Sequence, residues 1–290
     1  MATRGAQQIN RAGTSQHEGF LHYRSYRWLK IGLIASLVMI LIYGWHSPEP
    51  RPGGGTWYGY ILGTIGALLI LWLTMLGVRK RKMTTGAWSL KAWTSAHVYL
   101  GLTLVIVATL HTGFQFGWNI HTLAYALMML VIISGGITAY SVLPRALSDN
   151  RGETTQLQML DSLRTLDRQL HDAAQPLDHR FAEMVRLSLD DDPFGGSLLA
   201  RLTGRYPNCG TRRAQAAIRE VTGSRPALGV DPLEKVDVLL ERKEAALSRI
   251  RQHLRLKALL EVWLYIHVPL TFALIAALTA HIVAVFFYWG

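Results

Sequence analysis

Five stretches of this 290-residue chain run nearly free of charged side chains: approximately Trp28–Trp45, Trp57–Val78, Ala92–Phe116, His121–Leu143 and Ala258–Trp289. At a helical rise of 1.5 Å per residue, about 20 such residues cross a hydrocarbon core about 30 Å thick. The pattern predicts an all-α fold: a polytopic membrane bundle of five transmembrane helices. Trp and Tyr mark many of the ends (Trp28, Trp45, Trp57, Tyr58, Trp93, Trp118, Tyr140, Tyr288, Trp289), where interfacial aromatic belts form. The first stretch is the shortest and invites comparison with a signal peptide. Its long polar leader and the poor cleavage site Gly44-Trp45-His46-Ser47-Pro48 favour a retained helix.

Between the fourth and fifth stretches the pattern changes. Residues 144–256 mix polar and apolar positions at helical spacing, with 18 basic and 16 acidic residues between Pro144 and Arg255. This predicts a mostly helical insert, with the tail and helices one to four in 1–143 and helix five in 257–290. Leu157–Leu170 and Pro232–Leu256 read most clearly as helices, the second running on as a stalk into helix five. Asp190-Asp191-Asp192-Pro193 and Pro207-Asn208-Cys209-Gly210 mark breaks. The acidic triplet lacks an EF-hand spacing and reads as a solvated turn. No phosphate-binding glycine loop, dinucleotide fingerprint or solenoid repeat is found.

Half of the chain is hydrophobic and 17% is charged, which excludes disorder and most soluble enzymes. The formal charge of +11 raises the question of a nucleic-acid partner, but much of the excess flanks apolar runs, where membrane topology accounts for it. Arg24, Arg27 and Lys30 precede helix one, and Arg79, Lys80, Arg81, Lys82 and Lys91 fill the second link; both belong inside. The links around Arg51 and from Gly117 to His121 are nearly uncharged and belong outside. The expectation is a multi-pass protein of the cell inner or plasma membrane, with its N-terminus and insert cytoplasmic and its C-terminus outside. A single cysteine, Cys209, excludes an intramolecular disulfide and a Cys-rich cluster within the chain and reads as a plain thiol.

The candidate chemistry lies in histidines, because an ionisable side chain within hydrocarbon is costly and marks function by default. Helix three carries His97 and His111, helix five His267 and His281, each pair 14 residues apart. Fourteen helical steps return a side chain to within about 40° and separate the two rings by roughly 21 Å. In the topology above helices three and five run the same way, so His97 lies level with His267 and His111 with His281. Two facing imidazoles at one depth suit a six-coordinate haem iron, and two such haems make an electron conduit. Gly101 and Ala108, on the face shared by His97 and His111, leave room for a flat ring; Thr271, Leu274 and Leu278 opposite are bulkier. Gly135 and Gly136 allow close approach in helix four. The rival explanations are a proton path or another metal site, and His121 competes with His111 or His281 as a ligand. His22 and His46 read as interfacial, and His171, His179 and His253 as facing water. Lys91, Arg145 and Lys257 are candidates to neutralise haem propionates.

The paired H-x13-H arrangement on two helices is shared with the cytochrome b of quinol-oxidising complexes. It more closely resembles the ferric-reductase-like transmembrane domain of ferric reductases and NADPH oxidases, whose ligands lie on the third and fifth helices. Glu261-Val262-Trp263-Leu264-Tyr265-Ile266-His267 looks like that family's approach to its fifth-helix ligand. The resemblance covers the membrane part and implies two b-type haems, one between His97 and His267 and one between His111 and His281. The family's sixth helix and its flavin and nicotinamide domains have no counterpart here, and the insert has none in the family. Electrons are therefore expected to pass between a separate redox partner, docking on the insert, and an acceptor across the bilayer. A quinol-oxidising anchor with a quinone site, or a haem-free scaffold or proton-relay transporter, are the alternatives.

Overall fold

The computed structural model describes residues 19–46, 53–81, 89–144, 156–190, 192, 195–222 and 232–288. No strand occurs among them. Two compact units form, Met1–Ala139 with Ile266–Gly290, and Tyr140–Tyr265.

The first unit contains α1 (Arg27–Trp45), α2 (Trp57–Arg81), α3 (Leu90–Thr112), α4 (Ile120–Ile137) and the C-terminal part of α9 (Pro232–Tyr288). All five helices are long and apolar enough to cross a membrane. Their large apolar side chains stay outward: Leu33, Ile34 and Leu41 on α1 are all more than 60% exposed. Water would penalise such a surface, whereas lipid does not, and the chain is a multi-pass membrane protein.

With little apolar gain from helix association in lipid, close packing depends on small residues and hydrogen bonds. α2 and α3 pack most extensively, around Tyr58, Leu62, Val107 and Leu110. Tyr58 Oη donates to the Met39 carbonyl at 2.7 Å, tying α1 to α2. A second cluster joins Ile70, Leu104, Met128 and Leu274, and so brings together α2, α3, α4 and α9.

Helix ends explain where the observed spans depart from the hydropathy pattern. Ser89 caps α3, its hydroxyl accepting from Ala92 N at 3.2 Å. The helix stops at Thr112 rather than Phe116 because Gly113 takes a left-handed conformation (φ +58°), which glycine adopts without penalty. Asn119 restarts the chain as α4 by accepting from Thr122 N at 2.9 Å. After Gly135 and Gly136 the α4 ladder widens into a π turn, Thr138–Val142.

The second unit contains α5 (Gln156–Ala174), α6 (His179–Leu189), α7 (Leu198–Thr203), α8 (Gly210–Thr222) and the N-terminal part of α9. Leu170, Val185, Ile218, Val236 and Leu240 form its main core, and Leu163, Cys209, Leu247 and Ile250 a smaller one. The sequence-predicted break after Leu189 and the one before Gly210 both occur; Asp191 and Pro193 lie outside the described residues. Lys243 is 1% exposed, donating to the Ser188 carbonyl at 2.6 Å and meeting Asp167 Oδ1 at 2.6 Å. Cys209 is buried, with Arg251 Nη1 and Nη2 each 3.4 Å from its sulfur and the guanidinium lying over the Tyr206 ring. Arg212 reaches Glu244 at 2.5 Å, and the carboxylate raises that guanidinium's pKa. α9 runs unbroken for 57 residues through Pro269.

Candidate functional site

The first unit holds the five membrane-helix histidines, and a hydrogen-bond pattern unites three of them. His97 Nδ1 lies 3.0 Å from the Leu73 carbonyl, and His111 Nδ1 lies 2.7 Å from the Gly59 carbonyl. A carbonyl only accepts, so both rings carry their proton on Nδ1 and present an unprotonated Nε2. The two acceptors on α2 are themselves 14 residues apart, matching in reverse the interval between the two histidines on the antiparallel α3.

His267 reaches the same state by another route. Its Nδ1 lies 2.9 Å from Ser134 Oγ, and that hydroxyl donates its hydrogen to the Val131 carbonyl at 2.9 Å. Ser134 Oγ therefore accepts from Nδ1–H, the same tautomer as in His97 and His111. A metal-bound imidazole characteristically donates its other N–H to such a partner, which fixes both tautomer and ring orientation.

Glycines on α2 and α4 let these rings seat. A Cβ at Gly63 would stand 2.7 Å from His111 Cε1, one at Gly54 3.3 Å from the same atom, and one at Gly135 3.3 Å from His267 Cε1. Nothing lies within 4 Å of a Cβ at Gly101 or at Gly136. Gly63→Val should therefore push the His111 ring off its Gly59 acceptor and weaken metal or cofactor binding at that end by about 10- to 100-fold. Gly77→Ala is the control. It bears the same relation to Leu73 that Gly63 bears to Gly59, but a Cβ there meets nothing within 4 Å. Retained cofactor in purified Gly63→Val and Gly77→Ala protein measures the difference.

His111 and His281 come together with ring centres 6.1 Å apart. Two imidazoles on opposite sides of one metal, each with a bond of about 2.0–2.1 Å and about 1.1 Å from nitrogen to ring centre, stand roughly 6.3 Å apart. A cavity of about 650 Å3 adjoins them, lined by α2, α3, α4 and α9. Gly63, Gly66, Ala67 and Ala108 give it small-residue walls, and Leu274 and Leu278 also line it. His121 stands beside the pair, its ring centre 5.3 Å from that of His111 and 4.9 Å from that of His281. Near-equal distances put it about 4 Å from the midpoint of the His111–His281 line, so the donor pair and the small-residue walls suit a haem only with His121 turned away from both the midpoint and the cavity.

At the other end of α3, His97 and His267 are each held by an acceptor on a neighbouring helix, the Leu73 carbonyl and Ser134 Oγ. Sequence reasoning offered Lys91, Arg145 and Lys257 as the cations at this level. Lys91 and Lys257 are exposed, and Arg145 lies outside the described residues. Stacked Trp72 and Trp93, ring centres 4.7 Å apart, stand one turn from His97. His22, His171 and His179 are exposed, and His253 is half-buried. The sequence reading missed the carbonyls of Gly59 and Leu73 and the hydroxyl of Ser134. The spacing Gly59, Gly63, Gly66, which puts small residues on one face of α2, was a usable signal for the first. Neither protein-family models, nor curated proteins, nor solved structures give a match to this chain.

Proposed function

We propose that this protein is a di-haem b-type membrane cytochrome that passes electrons across the bilayer, His97 and His267 holding one haem and His111 and His281 the other. The observation that carries this reading is the common tautomer of three imidazoles, each with Nδ1–H committed to an acceptor on a neighbouring helix, the support characteristic of a metal-bound imidazole. The 6.1 Å separation of His111 and His281 and the cavity beside them support it independently. Held by these four imidazoles, haem would supply reversible one-electron transfer rather than substrate chemistry.

The chain's own residues do the rest. Helix α2 orients His97 and His111 through its carbonyls, Ser134 orients His267, and the apolar walls set the local dielectric and hence the potentials. Lys80, two turns beyond Leu73 on α2, would offset propionate charge. The basic residues beside α1 and between α2 and α3 put the N-terminus and the insert in the cytoplasm of a cell with an inner or plasma membrane. The redox partner then docks on the insert, and the acceptor lies on the opposite side.

The polar rim of the cavity beside His111 and His281 favours a second reading, a quinol-oxidising anchor subunit. Gln115, Asn119 and Tyr125 provide hydrogen-bonding groups next to otherwise apolar walls, a combination suited to a quinone. The reduced-minus-oxidised optical spectrum of the purified protein tests the main reading. Sharp α and Soret bands and two haems per chain are expected, and their absence would leave a scaffold or proton relay. Reduction of the haems by added quinol separates the second reading from the first.

Ser134→Ala removes the acceptor for His267 Nδ1–H and makes that imidazole a weaker donor to iron. The midpoint potential of one haem should rise by about 30–60 mV, about 0.7–1.4 kcal/mol for one electron, with the other haem unchanged. Ser134→Thr, which keeps the hydroxyl, should restore it. Redox titration of the three proteins reads the effect.

A further inference from the structure

The haem assignment leaves His121 unused, yet the fold places it with care. The chain leaves α3 at the left-handed Gly113, and Asn119 caps α4. The Thr122 hydroxyl also accepts from Gly117 N at 3.0 Å. This closed turn sets His121 against residues from two other helices. Three imidazoles from α3, α4 and α9 form a triangle of ring centres with sides 6.1, 5.3 and 4.9 Å. One nitrogen from each lies within 4.8 Å of the other two.

The shape of that triangle is informative. The point equidistant from the three ring centres lies in their plane, about 3.2 Å from each, which equals a metal–imidazole bond of about 2.0–2.1 Å plus about 1.1 Å from nitrogen to ring centre; a tetrahedral ion just out of this plane requires His111 and His281 to close by about 1 Å from 6.1 Å. The distances of His121 to its neighbours, 5.3 and 4.9 Å, bracket the roughly 5.1 Å expected for two imidazoles at a tetrahedral angle on one ion. His111 carries its proton on Nδ1 and so offers Nε2. His121 and His281 make no hydrogen bond among the described residues, so each has a ring nitrogen to give.

We infer that His111, His121 and His281 form a three-imidazole site for a single divalent d-block ion of the zinc class. Borderline-soft nitrogen donors, three in number and without a thiolate or carboxylate, favour zinc or copper over calcium or magnesium. The fourth position faces the 650 Å3 cavity, the open arrangement of an exchangeable site rather than a closed structural one. The inference goes beyond the haem reading and does not depend on it. The two occupants exclude one another at this end, since the ion needs His121 inward and a macrocycle needs it turned away.

The test uses the full chain, purified in detergent from haem-limited cells and titrated with Zn2+. The parent should bind one equivalent through this site. His121→Ala and His281→Ala should each weaken it by about 100-fold, because loss of a direct ligand costs at least as much as loss of its hydrogen-bonded support. Loading with Co2+ should give the visible bands of a tetrahedral nitrogen site in the parent and not in His121→Ala. His121 stands at a half-buried helix start, so His121→Ala keeps the fold; far-ultraviolet circular dichroism checks this for both variants. Failure of the folded parent to bind zinc, or zinc binding as tight in either variant as in the parent, overturns the inference. Haem content measured separately, on protein from haem-replete cells, reports on the cytochrome reading alone.

Discussion

On the proposed ligand assignment, His267→Ala is expected to cut the haem content from two per chain to one. The ring takes part in a chain of hydrogen bonds, Nδ1–H to Ser134 and Ser134 to the Val131 carbonyl, that fixes its tautomer and orientation. Alanine removes the proposed ligand together with this support. A bis-imidazole iron that loses one axial bond also loses the main interaction that distinguishes its pocket from any apolar cavity. His97→Ala should abolish the same haem, because the two ligands act on one metal. The double variant should lose no more than either single one, since residues that act as a unit are non-additive. His111→Ala and His281→Ala should remove the other haem, and a combination across the pairs should leave none. Pyridine haemochrome counting on each purified variant, with redox titration to tell the haems apart, measures the pattern. Two haems retained in all four single variants would refute the ligand assignment. Loss of both haems in a folded single variant would refute the pairing.

Asp167→Ala should produce the largest loss of stability in the insert. Lys243 sits at 1% exposure with its ammonium between Asp167 and the Ser188 carbonyl. An ion pair of this kind contributes little relative to a well-packed apolar pair, but removal of one partner leaves the other charge stranded in a low dielectric. A fully buried case costs about 3–5 kcal/mol; with the Asp167 side chain 29% exposed, water offsets part of this, and about 2–4 kcal/mol is expected. For a unit of this size the unfolding midpoint should fall by about 10 °C or more. Joint replacement, Asp167→Leu with Lys243→Met, should recover most of the loss, because no charge then remains to be solvated. Hydrogen-exchange protection of α5, α6 and the Pro232–Tyr265 part of α9 reads the effect in the insert itself. Protection unchanged in Asp167→Ala would show that water reaches Lys243.

How much of this was legible in the sequence depends on how far apart the interacting residues are. The five apolar spans were legible because each is a local property of some 20 consecutive residues, and their positions agree with α1 to α4 and the end of α9 to within a few residues. The misplaced end of α3 turned on the backbone of two residues. Gly113 and Phe114 adopt φ +58° and +59°, and the apolar letters Phe114 and Phe116 give no sign in the sequence that the helix has stopped. The 14-residue spacing of His97 with His111, and of His267 with His281, was legible for the same reason as the spans. A helix turns every 3.6 residues, so two side chains that far apart share a face whatever surrounds them.

What orients the histidines was not legible, because the Leu73 and Gly59 carbonyls belong to the backbone and bear no residue letter. Ser134 was one hydroxyl among many. His121 was visible as a competitor for ligation but not as a third member of a triangle. That outcome depends on how the Gly113–Asn119 turn folds back and on the rotation of α9 about its own axis, and neither has a local signature. The sequence alone thus determined that this is a helical membrane protein and that its third and fifth spans repeat histidine at one spacing, since hydropathy and helical period act along one chain segment. Which nitrogen of a ring is hydrogen-bonded, which imidazoles meet, and how much space lies beside them were decided only by tertiary structure. They depend on the register and rotation of helices that touch across tens to more than a hundred residues of chain.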